Sequence, residues 1–391
     1  MKENALNIGI ALSGGGVRAA VFHLGVLSRL AADHILERVT FISSVSGGTL
    51  VTGLIYSVSG NRWPSSEAFL DKCLPLIRQA ITKTNIQKDG IIRLLTQPWL
   101  LYQGKAKILS ESIKRCWGVS GTLRDIPCEP RWIINATAYE SGKNWRFMPQ
   151  RMGDYVLNYA ENPVISLSDA MAASAAYPGL IGPYRLNTRQ HKWFMYAEQK
   201  RPKQQDKENI YIKQGLKIIH LWDGGIYDNL GVECLFKPHG DRFRKEYNFL
   251  IVSDASKGIE IERPFFFYKR AFRLVNIAMD QVRSLRARNL VSHFMKNTHS
   301  GVYLRIGNSP HFILSQAGID ENEISALSVN TLSDNEITRA AYFPTTLRQL
   351  NRKQFDCIFQ HGWEVADFTL FSRCPDYFSH RDFMDKYINF D

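Results

Sequence analysis

Ser46 and Asp223 are the residues whose types and settings could carry covalent acyl transfer. The serine sits in Ser44-Val45-Ser46-Gly47-Gly48 and the aspartate heads Asp223-Gly224-Gly225. A serine hydroxyl held in a sharp strand-to-helix turn can attack an acyl carbonyl when a nearby base takes its proton, and a partly desolvated carboxylate is a stronger base than a hydrated one. Gly47 and Gly48 remove the Cβ atoms that would crowd such a turn, although the usual elbow has glycine where this chain has Ser44. The oxyanion formed by the attack needs donors. Ser13-Gly14-Gly15-Gly16-Val17-Arg18 offers bare backbone N–H groups where a helix begins.

Each motif also has a plain structural reading. Ser46 can cap the next helix, the glycine run can let a helix and a strand pack closely, and Asp-Gly-Gly is a common turn. Arg18 is by default an exposed helix arginine, with bracing of the glycine loop or contact with an anionic head group as the alternatives. The glycine run does not make a dinucleotide loop, because Ala19 occupies its sixth position and Glu37 precedes the second strand. A P-loop is excluded because no Gly-Lys-Ser/Thr follows. A Ser-Asp-His triad stays open on chain order, since His239, His293 and His299 follow Asp223, but none sits in a motif. His23 and His220 read as structural.

The elements that must position these groups are legible as apolar runs. Residues 7–12 read as a strand, 19–37 as a helix and 41–45 as a second strand, followed by a helix over 49–56. A strand-helix-strand crossover is right-handed and parallel, so both loops emerge at one carboxyl edge of the sheet, where open α/β folds place ligands. Residues 217–222 form a further strand that delivers Asp223 to the same edge, and 131–137 and 249–255 add two more. Strands and helical stretches alternate without a Gly/Ser or proline-rich linker, which predicts an α/β protein of one domain over 1–391. The polar, lysine-rich residues 189–213 read as a surface hairpin or loop inserted before the Asp223 strand.

In this order, Gly14-Gly15-Gly16-Val17-Arg18, Ser46 in Ser-Val-Ser-Gly-Gly, Ala173-Ser174-Ala175-Ala176-Tyr177-Pro178 and Asp223-Gly224-Gly225 resemble the four sequence blocks of the patatin-like phospholipases. The similarity extends through Asp228-Asn229-Leu230-Gly231-Val232-Glu233 and faintly to Phe343-Pro344-Thr345 and His361-Gly362-Trp363. The resemblance implies a three-layer α/β/α fold with a mainly parallel central sheet and a helical C-terminal extension. It implies a lipid acyl hydrolase with Ser46 as nucleophile, Asp223 as base, Gly14, Gly15 and Gly16 as the oxyanion loop, and no catalytic histidine. Arg18, Gly47, Gly48, Gly224 and Gly225 support that site. Two departures, Ser44 and Ala19, stand where the family often has glycine. They motivate the alternative of a weakly active lipid-binding scaffold; a signal-activated, membrane-degrading effector is a further option.

Across 391 residues the net charge is +12, which makes an anionic membrane surface a reasonable partner. Residues 263–296 carry eight Lys/Arg and one Asp on a long predicted helix, with Phe267, Ala271, Leu274, Ala278, Val282 and Leu285 along one face and Lys269, Arg270, Arg273 and Arg288 opposite. The expectation is that the apolar face packs on the sheet, with a helix lying on lipid as the alternative. Residues 91–102, including Trp99 and Tyr102, read equally as a lid, an interfacial anchor or core. Nucleic acid is not a predicted partner, for there is no basic stripe with interleaved aromatics and no zinc-finger spacing. The start of the chain has no signal-peptide pattern, no run is long enough to span a bilayer, and six cysteines without metal or CxxC spacing fit reduced thiols. The expectation is a cytoplasmic protein, peripheral to membranes, without metal or cofactor.

Overall fold

A computed structural model describes residues 6–196, 209–237, 241–244, 247–261 and 266–383. The first crossover forms as expected, with shifted ends: β1 (Ile8–Leu12), α1 (Gly16–Ala32), β2 (Val39–Val45) and α2 (Gly47–Val58). Helix α1 starts three residues earlier than the apolar spacing suggested and stops before His34, whose φ of 55° leaves the helical region. Then come α3 (Ile86–Thr96), β3 (Arg131–Ala138), β4 (Lys143–Phe147), β5 (Arg151–Asp154), β6 (Asn158–Glu161) and α4 (Leu167–Ser174). Strands β7 (Tyr184–Asn187), β8 (Lys192–Tyr196), β9 (Asn209–Ile212), β10 (Ile218–Asp223) and β11 (Phe249–Asp254) follow, then α5 (Phe267–Lys296), β12 (Gly301–Arg305) and α6 (Arg352–Arg373).

The centre of the sheet is parallel, in the order β12-β11-β1-β2-β3. Its strands alternate between two cores. Ile8, Ile10 and Leu12 of β1 and Phe249 and Ile251 of β11 face one side; Ala11, Leu250 and Val252 face the other. Burial on both faces is what a parallel sheet requires, and it yields the expected three-layer α/β/α arrangement. Beyond β3 the sheet continues through antiparallel strands, β4-β5-β6-β8-β9. The predicted insertion at 189–213 includes the paired β8 and β9, while 197–208 lie outside the described residues.

Strand β10 departs from the simplest expectation. It runs antiparallel to β3, yet it still brings Asp223 to the carboxyl edge of the parallel strands. Strand β2 covers one side of β3 up to the Val45–Asn135 pair. With β4 on the far side of β3, β10 takes over the near side at the next residue, where Asp223 faces Ala136. The ends of β2 and β10 therefore meet, and the residue after Val45 is Ser46.

Helix α6 is packed against α1 through backbone contact. A Cβ at Gly25 would lie 2.1 Å from the Phe359 carbonyl oxygen, and one at Gly362 would lie 2.1 Å from that of Phe22. Both positions need glycine for this crossing, which gives the His361-Gly362-Trp363 stretch a packing role. Among the described residues no helix is long and apolar enough to cross a membrane.

Candidate active site

The Ser46 turn is sharp because its backbone leaves the ordinary regions: φ is 47° and ψ is −113°, between the end of β2 and the first residue of α2. A non-glycine residue held there stores on the order of 1–3 kcal/mol of strain. Ser46 makes no side-chain cap to α2, so the capping reading of this serine is set aside. Its hydroxyl instead lies close enough to the Asp223 carboxylate to lower that group's pKa.

Asp223 is almost fully buried, at 3% exposure. Burial raises its pKa from 3.8 to about 6, against the lowering effects of the Gly225 N–H (2.7 Å to Oδ1) and the Ser46 hydroxyl. Its main chain is pinned by Asp223 N–H to the Ala176 carbonyl (3.0 Å) and by the Thr137 hydroxyl to the Asp223 carbonyl (2.8 Å). Gly224 donates its N–H to the Ser174 carbonyl (3.2 Å), joining the Asp-Gly-Gly turn to the end of α4.

The glycine loop meets Ser46 from the other side. A Cβ at Gly14 would lie 3.2 Å from the Ser46 Cβ. The three glycines are not equivalent as donors: the Gly14 N–H is committed to the Asn229 carbonyl (3.1 Å). Among the described residues no acceptor takes the N–H of Gly15 or Gly16, and both residues line the cleft at the positive end of α1. Gly16 is fixed by conformation and by space, with φ at 63° and the Thr346 carbonyl oxygen 2.5 Å from where a Cβ would stand. Gly47 and Gly48 form the first turn of α2, and the Gly48 N–H donates to the Ser13 carbonyl (3.1 Å).

Arg18 is buried, which corrects the default of an exposed arginine. Its Nε and Nη2 donate to the Ala255 carbonyl at 3.2 Å each, and Nη1 donates to the Phe343 carbonyl. Burial lowers its pKa to about 10 against the opposing charge of Asp254. Arg18 thus ties the start of α1 to the end of β11 and to residue 343, bracing the glycine loop while remaining part of the cleft lining.

These groups lie in a cleft of about 640 Å³. Its far wall comes from late in the chain: Phe272, Asn276 and Met279 of α5, and residues 344–347. Among the described residues no histidine lines it. His293 pairs with Asp241 at 2.7 Å, His220 with Glu140 at 2.7 Å, and His299 lies 3.7 Å from Asp376. His23 is enclosed by the Ser13 carbonyl and the Ser253 hydroxyl, and burial lowers its pKa to about 4. His239 lies outside the described residues.

Ser174, to which the motif reading gave no role, holds the elbow. Its Oγ accepts the Ser46 N–H (2.9 Å) and donates to the Asn135 carbonyl (2.7 Å). With that proton committed, the neighbouring Thr49 hydroxyl at 2.9 Å must donate to Ser174, and Ser44, 2.9 Å from Thr49, must donate in turn. The Trp132 indole N–H supplies the head of the chain, donating to Ser44 Oγ at 2.8 Å. Every hydroxyl in this buried row has a partner on each side. Asn229 is the other residue without a predicted role: it accepts the Gly14 N–H, and its side-chain amide donates to the Ser256 hydroxyl (2.8 Å).

A family model for patatin-like phospholipases matches residues 10–236. The chain belongs to that family. Among curated proteins, cytosolic phospholipase A2 gamma of Mus musculus is 43% identical over 59 residues, which are 15% of this chain and 10% of that protein. Among solved structures, human GIVD cytosolic phospholipase A2 aligns at 14% identity over 95% of this chain and 59% of that chain, with a TM-score of 0.48. Its complex with methyl gamma-linolenyl fluorophosphonate aligns at 15% identity over 93% of this chain and 57% of that one, with a TM-score of 0.47. The chain thus spans about a tenth of the curated relative and under two thirds of the solved ones.

Within this patatin-like chain, Ser44 is the departure from the usual elbow, and it is integrated through its hydroxyl. Ser44→Gly, which restores the familiar pattern, is expected to lower stability to urea by about 1–3 kcal/mol, because it strands the Trp132 N–H and removes the donor to Thr49. An unchanged or raised unfolding midpoint would contradict the hydroxyl chain.

Proposed function

We propose that this patatin-like protein is a lipid acyl hydrolase that cleaves carboxylic esters of phospholipids or related lipids through an acyl-Ser46 intermediate. The observation that carries the reading is Ser46 beside the buried Asp223 carboxylate in one cleft, together with the Gly15 and Gly16 N–H groups that have no acceptor among the described residues. Asp223 takes the hydroxyl proton as Ser46 Oγ bonds to the acyl carbon, and the carbonyl oxygen becomes an oxyanion received by the Gly15 and Gly16 N–H groups. Collapse of that intermediate breaks the ester bond, and the alcohol leaves with the proton from Asp223. Water then repeats the sequence on the acyl-enzyme and releases the fatty acid.

A pKa of about 6 suits this cycle, since Asp223 is ionised and ready at neutral pH yet holds a proton long enough to return it. We further propose that the region matched by the family and the later segments act as one catalytic unit, because residues 272–283 and 344–347 complete the cleft wall. The cleft lining includes Leu180, Ile259, Phe272 and Met279, apolar surface that suits an acyl chain.

The test is product analysis on mixed anionic vesicles. The wild type is expected to release free fatty acid and the matching lyso-lipid or alcohol, with the same rate in the presence of a chelator, because Ser46, Asp223 and water supply every proton and bond in the cycle. Folded protein that binds lipid and releases no fatty acid from any ester would overturn the reading.

A further inference from the structure

The long helix α5 is rotated relative to the expectation from its sequence pattern. Phe267, Leu274 and Leu285 of the predicted core-facing stripe are exposed, Phe267 at 85% and Leu274 at 68%. The helix instead buries Arg283, Ala287, Leu290 and His293. The electrostatic partner of Arg283 explains the rotation: its guanidinium reaches the fully buried Asp254 at the end of β11 (2.9 Å) and Asp280 (2.6 Å). A second exposed apolar region follows the first turn of α3, which touches the 344–347 wall of the cleft through Gln87. In α3, Leu95 is 76% exposed, and beyond it Trp99 is 66% exposed, so the core reading of these side chains is excluded.

Both regions are anchored to the cleft rim. The first turn of α3 is held to the 344–347 wall by the Gln87 N–H to the Leu347 carbonyl (3.3 Å) and by the Thr346 hydroxyl to the Gln87 side chain (2.8 Å). Helix α5 supplies the opposing wall through Phe272 and Asn276, and Tyr177 donates its hydroxyl to Asn276. The turn after Tyr177 links the two sides: the Phe272 ring lies against Gly179, and Arg185 donates to the Tyr102 carbonyl (3.2 Å). Leu180, half exposed, lines the cleft.

We propose that the outer face of α5 and the α3 to Tyr102 segment form one docking surface for an anionic lipid bilayer, seating the cleft rim on the membrane. Large exposed apolar side chains around a cleft mark an interaction surface, and the accompanying charge selects the partner. Lys269, Arg270 and Arg288 are exposed on α5, and Lys88 is exposed on α3. The only acidic residue of α5, Asp280, is already paired with Arg283. Exposed apolar side chains and exposed cations on the same helix complement acyl chains beneath anionic head groups. This proposal rests on the lipid-hydrolase reading for the direction in which the cleft faces, but the docking itself needs no turnover.

The experiment measures partition of the full chain, and of its Ser46→Ala form, onto phosphatidylcholine vesicles with or without phosphatidylglycerol. Turnover of a dissolved short-chain ester is measured in parallel. The wild type and Ser46→Ala are expected to favour the phosphatidylglycerol vesicles by about tenfold or more, with the preference weakened by salt. Phe267→Ser/Leu274→Ser and Leu95→Ser/Trp99→Ser should each lower partition at least about tenfold. Lys269→Glu/Arg270→Glu should remove the preference for the anionic vesicles. None of these side chains lines the cleft, so dissolved-ester turnover should be kept, and Phe312→Ser, an exposed apolar change away from the cleft lining, should alter neither readout.

Wild-type partition in all three double variants would overturn the proposal. So would a wild type that ignores both kinds of vesicle, or a solution dimer that these variants dissociate, which would assign the face to a second copy of the chain. Absence of turnover on every ester would strike the hydrolase reading alone and leave the partition result to decide the docking surface.

Discussion

Ser46→Ala is expected to lower fatty-acid release and dissolved-ester turnover by roughly 10⁴-fold or more, with circular dichroism and the unfolding midpoint close to those of the wild type. The size follows from what is removed. In the proposed cycle the hydroxyl is the atom that bonds to the acyl carbon, and its buried neighbours cannot replace it: Ser44, Thr49 and Ser174 are fully committed to one another and to Trp132 and Asn135. The fold should tolerate the change, because the elbow is held through the Ser46 main-chain N–H and not through its side chain. Loss of the hydroxyl also removes one of the influences that hold the Asp223 pKa down, so that carboxyl should titrate higher in the variant. Turnover within about tenfold of wild type would show that another group attacks the ester.

Asp223→Asn is the second large effect, and here activity and stability move in opposite directions. An amide cannot take the serine proton, so kcat should fall by roughly 10³-fold or more. In the wild type, kcat/KM should rise with pH through the Asp223 pKa of about 6 and level off above it, since only the ionised form is a base. The stability sign is the reverse. Burial raises this carboxyl above its ordinary 3.8, so its contribution to folding is present below about pH 4 and is lost as pH rises through about 6. The introduced amide has no charge to bury and keeps an oxygen for the Gly225 N–H. Asp223→Asn should therefore be more stable than wild type at pH 8 by up to about 2–3 kcal/mol, with the difference shrinking as pH falls toward 4. A variant that is less stable at every pH, or a wild-type rate that is flat from pH 4 to 8, would contradict the desolvated-base account.

Much of this site was legible because its pieces are local. A serine between a strand and two glycines, a glycine run after a strand, and an aspartate before two glycines each announce a turn, and a parallel crossover rule brings the first two together. The direction of β10 was not legible, because an apolar run of six residues fits either orientation; only the register on β3 shows how Asp223 reaches Ser46. Arg18 looked like an exposed helix residue since its acceptors are carbonyls of Ala255 and Phe343, hundreds of positions away and without a side-chain signature. The rotation of α5 was hidden for the same reason. Periodicity counts apolar side chains, whereas the buried position of Arg283 is set by Asp254 on a neighbouring strand. Ser174 stood inside a motif block, but its work is to hold the Ser46 N–H, a contact visible only in three dimensions.

The central claim is that Ser46 is an activated nucleophile within reach of Asp223, and covalent capture tests it most directly. The full chain is treated with an alkyl fluorophosphonate, and the adduct is mapped by mass spectrometry alongside residual ester turnover. A single adduct on Ser46, forming in step with loss of turnover and greatly slowed in Asp223→Asn, is the predicted result. Adduct on a different residue, or full turnover by protein whose Ser46 is completely labelled, would contradict it.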